Sequence, residues 1–171
     1  MNFRFVLFLL LGILAGCAKQ PDLPDILVSA ASPGEFAQFR AGLGARFSTE
    51  QLKPFDAATN ELQLDAMNRD VTTAAARELD MLAVANGKSV HAVTLLGWQA
   101  RKARFGREIA ELTRMLDHDL QLQAKSGADT SSSVLTRIQS EREVIAKLQR
   151  DLAETERRLV ELQSYPKQAS S

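Results

Sequence analysis

The sequence feature that most constrains the fold is a heptad repeat over residues 132–163. Side chains at its first and fourth positions are mostly apolar, and seven of these nine positions hold Ile, Leu or Val. So narrow a stripe is typical of a helix that pairs with another helix in a coiled coil. The first positions are Ile138, Ile145, Leu152 and Leu159, and the fourth positions are Val134, Glu141, Leu148, Thr155 and Leu162.

The partner helix is expected just upstream, over residues 89–124. Ser89 is suited to cap its first turn, and an apolar stripe at helical spacing follows. A loop of Gly and small polar residues near 124–131 then leads into the heptad helix. Because a short loop joins two long helices, the helices lie antiparallel. Residues 89–165 are therefore predicted to form a coiled-coil hairpin, whose upstream stripe is Leu95, Trp98, Phe105, Ile109, Leu112, Leu116 and Leu120.

Two or three further helices are predicted in residues 32–88. Ser32 and Ser48 each occupy a capping position before helical sequence. Pro54 predicts either a fresh helix start or a kink. The apolar stripe of the following residues changes phase near Asp70, which is a candidate helix cap, so residues 54–85 form either one bent helix or two.

The resulting fold class is all-α: a helical bundle with a long antiparallel coiled-coil hairpin. The narrow apolar stripes of the two hairpin helices bury little apolar surface against each other. Residues 55–85 are therefore expected to pack along part of the hairpin.

The beginning of the chain has the composition of an export signal. Arg4 is a short positive region, and the run from Phe5 to Leu14 is apolar apart from Gly12. A run of about ten apolar residues matches the core of a signal peptide and is too short for a membrane span, which needs roughly 20. Residues 1–16 are therefore predicted to be a signal peptide.

The next residues, Leu14-Ala15-Gly16-Cys17, resemble the lipobox of bacterial lipoproteins. The resemblance implies cleavage between Gly16 and Cys17, a diacylglyceryl group on the Cys17 thiol, and a further acyl chain on its new amino group. Two or more acyl chains hold a protein firmly on a membrane. Ala18, where Asp tends to retain such proteins on the inner membrane, implies an outer-membrane location facing the periplasm if the organism is Gram-negative.

Residues 17–31 are predicted to be a lipidated tether, because they contain Pro21 and Pro24 and lack helical periodicity. Within this segment, docking of Ile26–Val28 on the folded part is an open alternative. Residues 166–171 are predicted to form a disordered tail.

Charge and metal-binding residues exclude several classes of function. Lys plus Arg and Asp plus Glu each number 21, so the chain has no broad field to attract nucleic acid. The single cysteine excludes an intramolecular disulfide and a Cys-based zinc site. His91 and His118 are predicted to lie about 40 Å apart on one helix and cannot share a metal ion. No cofactor or metal is expected, and Asp117-His118-Asp119 is interpreted as a solvated helix face.

One pair of carboxylates keeps an enzymatic alternative open. Glu61 and Asp65 lie four residues apart on one helix face, and a cell-wall glycan hydrolase needs two such groups. The pair Glu108 and Glu111 has a similar spacing. The competing interpretation is ordinary ion pairing on helix surfaces, namely Asp65–Arg69, Arg104–Glu108 and Arg107–Glu111.

A basic cluster lies beside two aromatic residues, Trp98 and Phe105. We interpret it as a solvated helix face with the aromatic rings turned into the core; an acidic partner or a lipid headgroup is the alternative. Gly97 and Gly106 mark either a close helix approach or a local weakness. The cluster consists of Arg101, Lys102, Arg104 and Arg107.

The sequence contains no recognisable catalytic motif. Together with the lipobox and the heptads, this predicts a non-catalytic, membrane-anchored envelope lipoprotein. Its expected role is that of a helical scaffold or adaptor. The hairpin is expected either to bind a periplasmic protein partner or to self-associate.

Overall fold

A computed structural model of the chain describes residues 21–127 and 131–165. Within these residues the chain is α-helical apart from a short 3₁₀ turn at Leu23–Asp25 and the connecting loops, which confirms the predicted all-α class. The helices are α1 (Pro33–Gly44), α2 (Thr49–Asn68), α3 (Ala74–Ala85), α4 (Val90–Ser126) and α5 (Ser132–Gln163).

The first turns of α1, α2 and α4 are capped at the predicted serines. The side-chain oxygens of Ser32, Ser48 and Ser89 each accept a hydrogen bond from a backbone N–H three residues later. The backbone N–H of Ser48 also donates a hydrogen bond to the side-chain oxygen of Gln51, which completes a capping box. Helix α2 runs through Pro54 without interruption, so a fresh start there was a wrong alternative.

The connection between α2 and α3 answers whether residues 54–85 form one helix or two. Asp70 has a φ of 62° and lies in the turn that ends α2, where its N–H donates to the carbonyl of Met67. The prediction that Asp70 caps a new helix is therefore wrong. The side chain of Thr73 caps α3 instead, accepting from the N–H of Ala76.

The segment before α1 docks on the loop between α3 and α4. The N–H of Val28 donates to Lys88 at 2.8 Å, and the N–H of Val90 donates to Ile26 at 2.8 Å. Val28 and Ala30 are buried in the core. The predicted tether over residues 17–31 is thus wrong for residues 26–30, and the docking alternative is confirmed.

The main hydrophobic core lies at the end of the molecule where α1, α2, α3 and the beginning of α4 meet. Phe55 is buried at its centre, and the rings of Phe36 and Phe39 pack 6.4 Å from it. Several aliphatic side chains complete this core, which we call the base: Val28, Leu43, Leu52, Met81, Leu82 and Val93.

Helices α4 and α5 form the predicted antiparallel hairpin. The ion pairs Lys102–Glu156 and Asp119–Arg137 join the two helices in opposite chain order. All nine heptad positions of α5 are buried or half-buried. Helix α2 packs along α4, and its Asp65 lies 3.5 Å from Arg107. Because α2 ends at Asn68, three residues after Asp65, the farther part of α4 packs mainly against α5. The distal part of the hairpin is therefore a two-helix coiled coil that projects from the base.

Candidate functional site

The predicted lipidation and cleavage residues, Gly16 and Cys17, lie outside the described residues. The lipid anchor therefore stays a prediction. Residues 128–130 and the predicted tail, residues 166–171, also lie outside them.

The carboxylate pair of the enzymatic alternative lies where α2 crosses α4. Glu61 is only 6% exposed, and both of its oxygens accept hydrogen bonds from Arg104, at 2.8 and 2.9 Å. The hydrogen bond to Glu61 raises the pKa of Arg104 above its ordinary value, against the opposing effect of burial. Asp65 lies 3.5 Å from Arg107 and 3.4 Å from Arg69. Glu61 therefore joins two helices electrostatically, and each of its oxygens accepts a hydrogen bond from Arg104.

The basic cluster is part of the same helix contact. Arg101 stacks 5.2 Å from the centres of the Trp98 and Phe105 rings, and Phe105 is buried as predicted. Lys102 pairs with Glu156 of α5 at 2.8 Å. A purely solvated face was therefore wrong for Arg101 and Arg104, because both side chains are less than one-third exposed.

Two of the three predicted surface pairs are confirmed. Asp65 pairs with Arg69, and Arg104 pairs with Glu108 at 2.8 Å. The pair Arg107–Glu111 is wrong: Arg107 turns towards α2, and Glu111 pairs with Arg114 at 2.6 Å.

Gly97 marks the closest approach of α2 and α4. A Cβ atom added there would lie 2.4 Å from the backbone of Ala58. At Gly106 the same added atom would meet nothing within 4 Å. A close helix approach is thus confirmed for Gly97 and wrong for Gly106.

The two histidines lie near opposite ends of α4. The His91 ring packs 5.1 Å from the Tyr165 ring, and His118 lies in the distal part of the hairpin. In the described part of the chain, no group of three His, Cys, Asp or Glu side chains is placed to hold a metal ion.

The distal hairpin contains a buried pair of acidic side chains within the coiled-coil seam. Asp119 is 3% exposed, and Arg137 donates to both of its oxygens, at 2.5 Å for Nη2 to Oδ1. These hydrogen bonds lower the pKa of Asp119, and the charges of Arg137 and His118 act in the same direction. The solvated-face interpretation was therefore wrong for Asp119.

Glu141 occupies a fourth heptad position on α5 and is 6% exposed. Its Oε2 atom is buried and has no hydrogen-bond partner among the described residues. A polar residue was recognised at this heptad position in the sequence, but its missing partner could be seen only in the structure.

An open concavity of about 670 Å³ lies over these acidic residues, and we call it the distal concavity. Both helices contribute to it. Its lining residues are Arg114, Met115, Asp117, His118, Asp119, Gln121, Arg137 and Glu141.

A smaller apolar slot of about 140 Å³ lies at the base end of the hairpin. Trp98, Pro54 and Leu162 contribute to its walls, and the Trp98 Nε1 is buried without a hydrogen-bond partner among the described residues.

Helices long and apolar enough to cross a membrane are absent from residues 21–127 and 131–165. Comparison of the chain with protein-family models, curated proteins and solved structures finds no match.

Proposed function

We propose that the chain is a lipid-anchored, non-catalytic scaffold or adaptor of the bacterial envelope. Acyl chains on Cys17 would hold it on the outer membrane, facing the periplasm. From there the α4–α5 hairpin would be presented to a protein partner.

The observation that carries this proposal is the position of the docked N-terminal segment. Ile26 and Val28 bind the α3–α4 loop beside the first residue of α4. The tip of the hairpin lies at the other end of α4, which has 37 residues. Because the rise is 1.5 Å per residue, the tip lies about 55 Å from the docking point.

The same geometry limits the distance of the base from the membrane. The chain from Cys17 to Ile26 can span at most about 30 Å when fully extended. The base would therefore stay near the lipid surface, while the tip would reach components up to about 85 Å away.

The pairing of Glu61 argues against the alternative of a cell-wall glycan hydrolase. Such an enzyme needs one carboxyl group to donate a proton and another to act as a base or nucleophile. Here both oxygens of Glu61 are bound by Arg104, and Asp65 lies within reach of two arginines. We therefore do not propose a catalytic role for this pair.

Photo-cross-linking in living cells tests the scaffold role. A photoreactive amino acid at position 125 samples the tip, and the same substitution at position 53 is the matched control. Both positions hold exposed lysines, one at the end of α4 and one on α2. We expect a discrete cross-linked protein from position 125 and none from position 53. Equal products from both positions, or none from 125, would contradict the proposal.

The anchor has its own test. Native protein purified from membranes should begin at Cys17 and carry acyl chains when its mass is measured. The Cys17→Ala variant should leave the membrane fraction. An unmodified, uncleaved chain would remove the basis for the location.

A further inference from the structure

The feature that calls for explanation is the buried Glu141 in the seam of the distal hairpin. A carboxylate oxygen enclosed without a hydrogen-bond donor is strongly unfavourable. The charge of Arg137 acts on Glu141, but the hydrogen bonds of Arg137 go to both oxygens of Asp119. Among the described residues, the Oε2 atom of Glu141 therefore has no hydrogen-bond donor.

Exposed apolar side chains lie along the same side of the hairpin. One side of the antiparallel pair is formed by the heptad positions that directly precede the first positions of each helix. These positions hold Met115 and Leu122 on α4 and Arg137 and Val144 on α5. The distal concavity confirms this placement, since Met115 and Arg137 both line it with Glu141. Met115, Leu122 and Val144 are 41%, 37% and 45% exposed. We call the following five residues the distal face: Met115, Leu122, Arg137, Glu141 and Val144.

We propose that the distal face is the docking surface for a second copy of this chain. Two hairpins would lie side by side and parallel, related by a two-fold axis along their length, and would form a four-helix bundle. The parallel arrangement rests on the proposed function, because two copies anchored to one membrane point their tips in the same direction.

The charges of the distal face favour a second copy over an unrelated partner. A two-fold axis along the hairpin brings equal levels of the two copies together, so that Met115 meets Met115. At that level each copy offers an acceptor, Glu141, and beside the distal face a cation, Arg114. The side chains of Arg114 and its partner Glu111 are 74% and 57% exposed, so their ion pair is weak and Arg114 can exchange it for a carboxylate of the second copy. The face is therefore complementary to itself: Arg114 of each copy can supply the donor that Glu141 of the other lacks.

The size of the face predicts a weak dimer. Measured along the axis of the hairpin, Val144, Met115 and Leu122 lie within a length of only about ten helical residues, or about 15 Å. A stripe of this length buries less than a standard protein interface. Anchoring both copies to one membrane raises their effective concentration, so a weak contact is enough there.

Cysteine cross-linking of the full chain, reconstituted in lipid vesicles so that the copies share one membrane, tests the face directly. Met115→Cys adds one thiol on the distal face, and Leu135→Cys adds one on the opposite flank of the hairpin. The two positions are matched in exposure, at 41% and 44%. With a short bismaleimide we expect a covalent dimer from Met115→Cys at a yield at least fivefold above that of Leu135→Cys. Equal yields would overturn the proposal.

The role of the buried carboxylate is tested in the same assay. Glu141→Gln in the Met115→Cys chain removes the charge that attracts the cation of the second copy, and the dimer yield should fall at least fivefold. An unchanged yield would overturn the charge pairing. Circular dichroism on the same sample shows whether each variant is folded.

Failure of the anchor can be told apart from failure of the dimer. A lipidated Cys17 has no free thiol, so the wild-type chain should give no cross-link. A wild-type cross-link would contradict the lipid anchor, and the Cys17→Ser background then tests the distal face alone.

Discussion

The base of the molecule and the distal hairpin share one helix, α4, but they differ in what that helix packs against. At the base, α4 packs against α2 and α5, and its neighbours include the apolar core around Phe55. In the distal part it packs against α5 through a seam that contains Asp119 and Glu141. Regions with few buried apolar contacts open most easily. The molecule therefore has a stable body beside the docked segment Ile26–Val28 and a more adaptable surface in the distal hairpin.

The largest expected effect tests the close packing of the base. Gly97→Ala would place a methyl group 2.4 Å from the backbone of Ala58, so α2 and α4 must move apart. Overpacking of this kind should lower the free energy of unfolding by about 3 kcal/mol. The fluorescence of Trp98, the chain's one tryptophan, reports unfolding of the base in denaturant.

Gly106→Ala is the matched control on the same helix. An added methyl group meets nothing there within 4 Å, so the better helix propensity of alanine should raise the stability by about 1 kcal/mol. Equal effects at the two glycines would contradict the close approach.

The next effect tests the electrostatic contact of the base. Glu61→Gln leaves Arg104 partly buried with Glu108 as its remaining carboxylate partner. We expect a loss of about 2 kcal/mol, because a buried ion pair loses one member. Glu111→Gln, which breaks an exposed pair with Arg114, should change the unfolding midpoint too little to measure. A similar loss from both variants would mean that Glu61 is no more enclosed than a surface residue.

A smaller effect, of opposite sign, is expected in the distal hairpin. Glu141→Leu replaces an enclosed carboxylate with an apolar side chain and should stabilise the hairpin by about 1–2 kcal/mol. Helical circular dichroism in denaturant, at concentrations too low for dimers, measures this gain, and Trp98 fluorescence should change less. Glu143→Leu, an exposed site on the same helix, is the control. Destabilisation by Glu141→Leu would show that the carboxylate already has a partner within the chain.

The smallest effect concerns pH. The pKa of Asp119 is lowered by the hydrogen bonds from Arg137. Its contribution to stability is therefore full above the unfolded pKa of about 4 and is lost as the pH falls through the lower folded value. Asp119→Asn should melt below the wild-type chain at pH 6, and the difference should shrink at pH 2.5. A difference that is constant with pH would contradict the ion pair.

The sequence predicted the parts of the fold that depend on local patterns. Ser32, Ser48 and Ser89 cap helices because each can bond to a backbone N–H three residues ahead. The heptads of α5 specified the hairpin because their spacing fixes which side chains face the partner helix.

Contacts between distant segments could not be predicted in this way. The bonds between Arg104 and Glu61 depend on where α2 crosses α4. The sequence offered docking of Ile26–Val28 as an alternative, but it could not name the partner, because the Lys88 carbonyl that Val28 binds is a backbone group without a sequence signal. Asp119 was predicted to be solvated because Leu116 and Leu120 continue the apolar stripe of α4 without it. In the structure Asp119 is buried, while Leu116 and Leu120 are half-buried.

Hydrogen exchange of the full chain, measured by mass spectrometry at several protein concentrations, tests the division between base and distal hairpin most directly. We predict slow exchange in residues 52–62 and 90–105 at every concentration. Residues 112–127 and 131–144 should exchange faster at high dilution and become protected as the concentration rises. Uniform protection along α4, unaffected by concentration, would contradict this division.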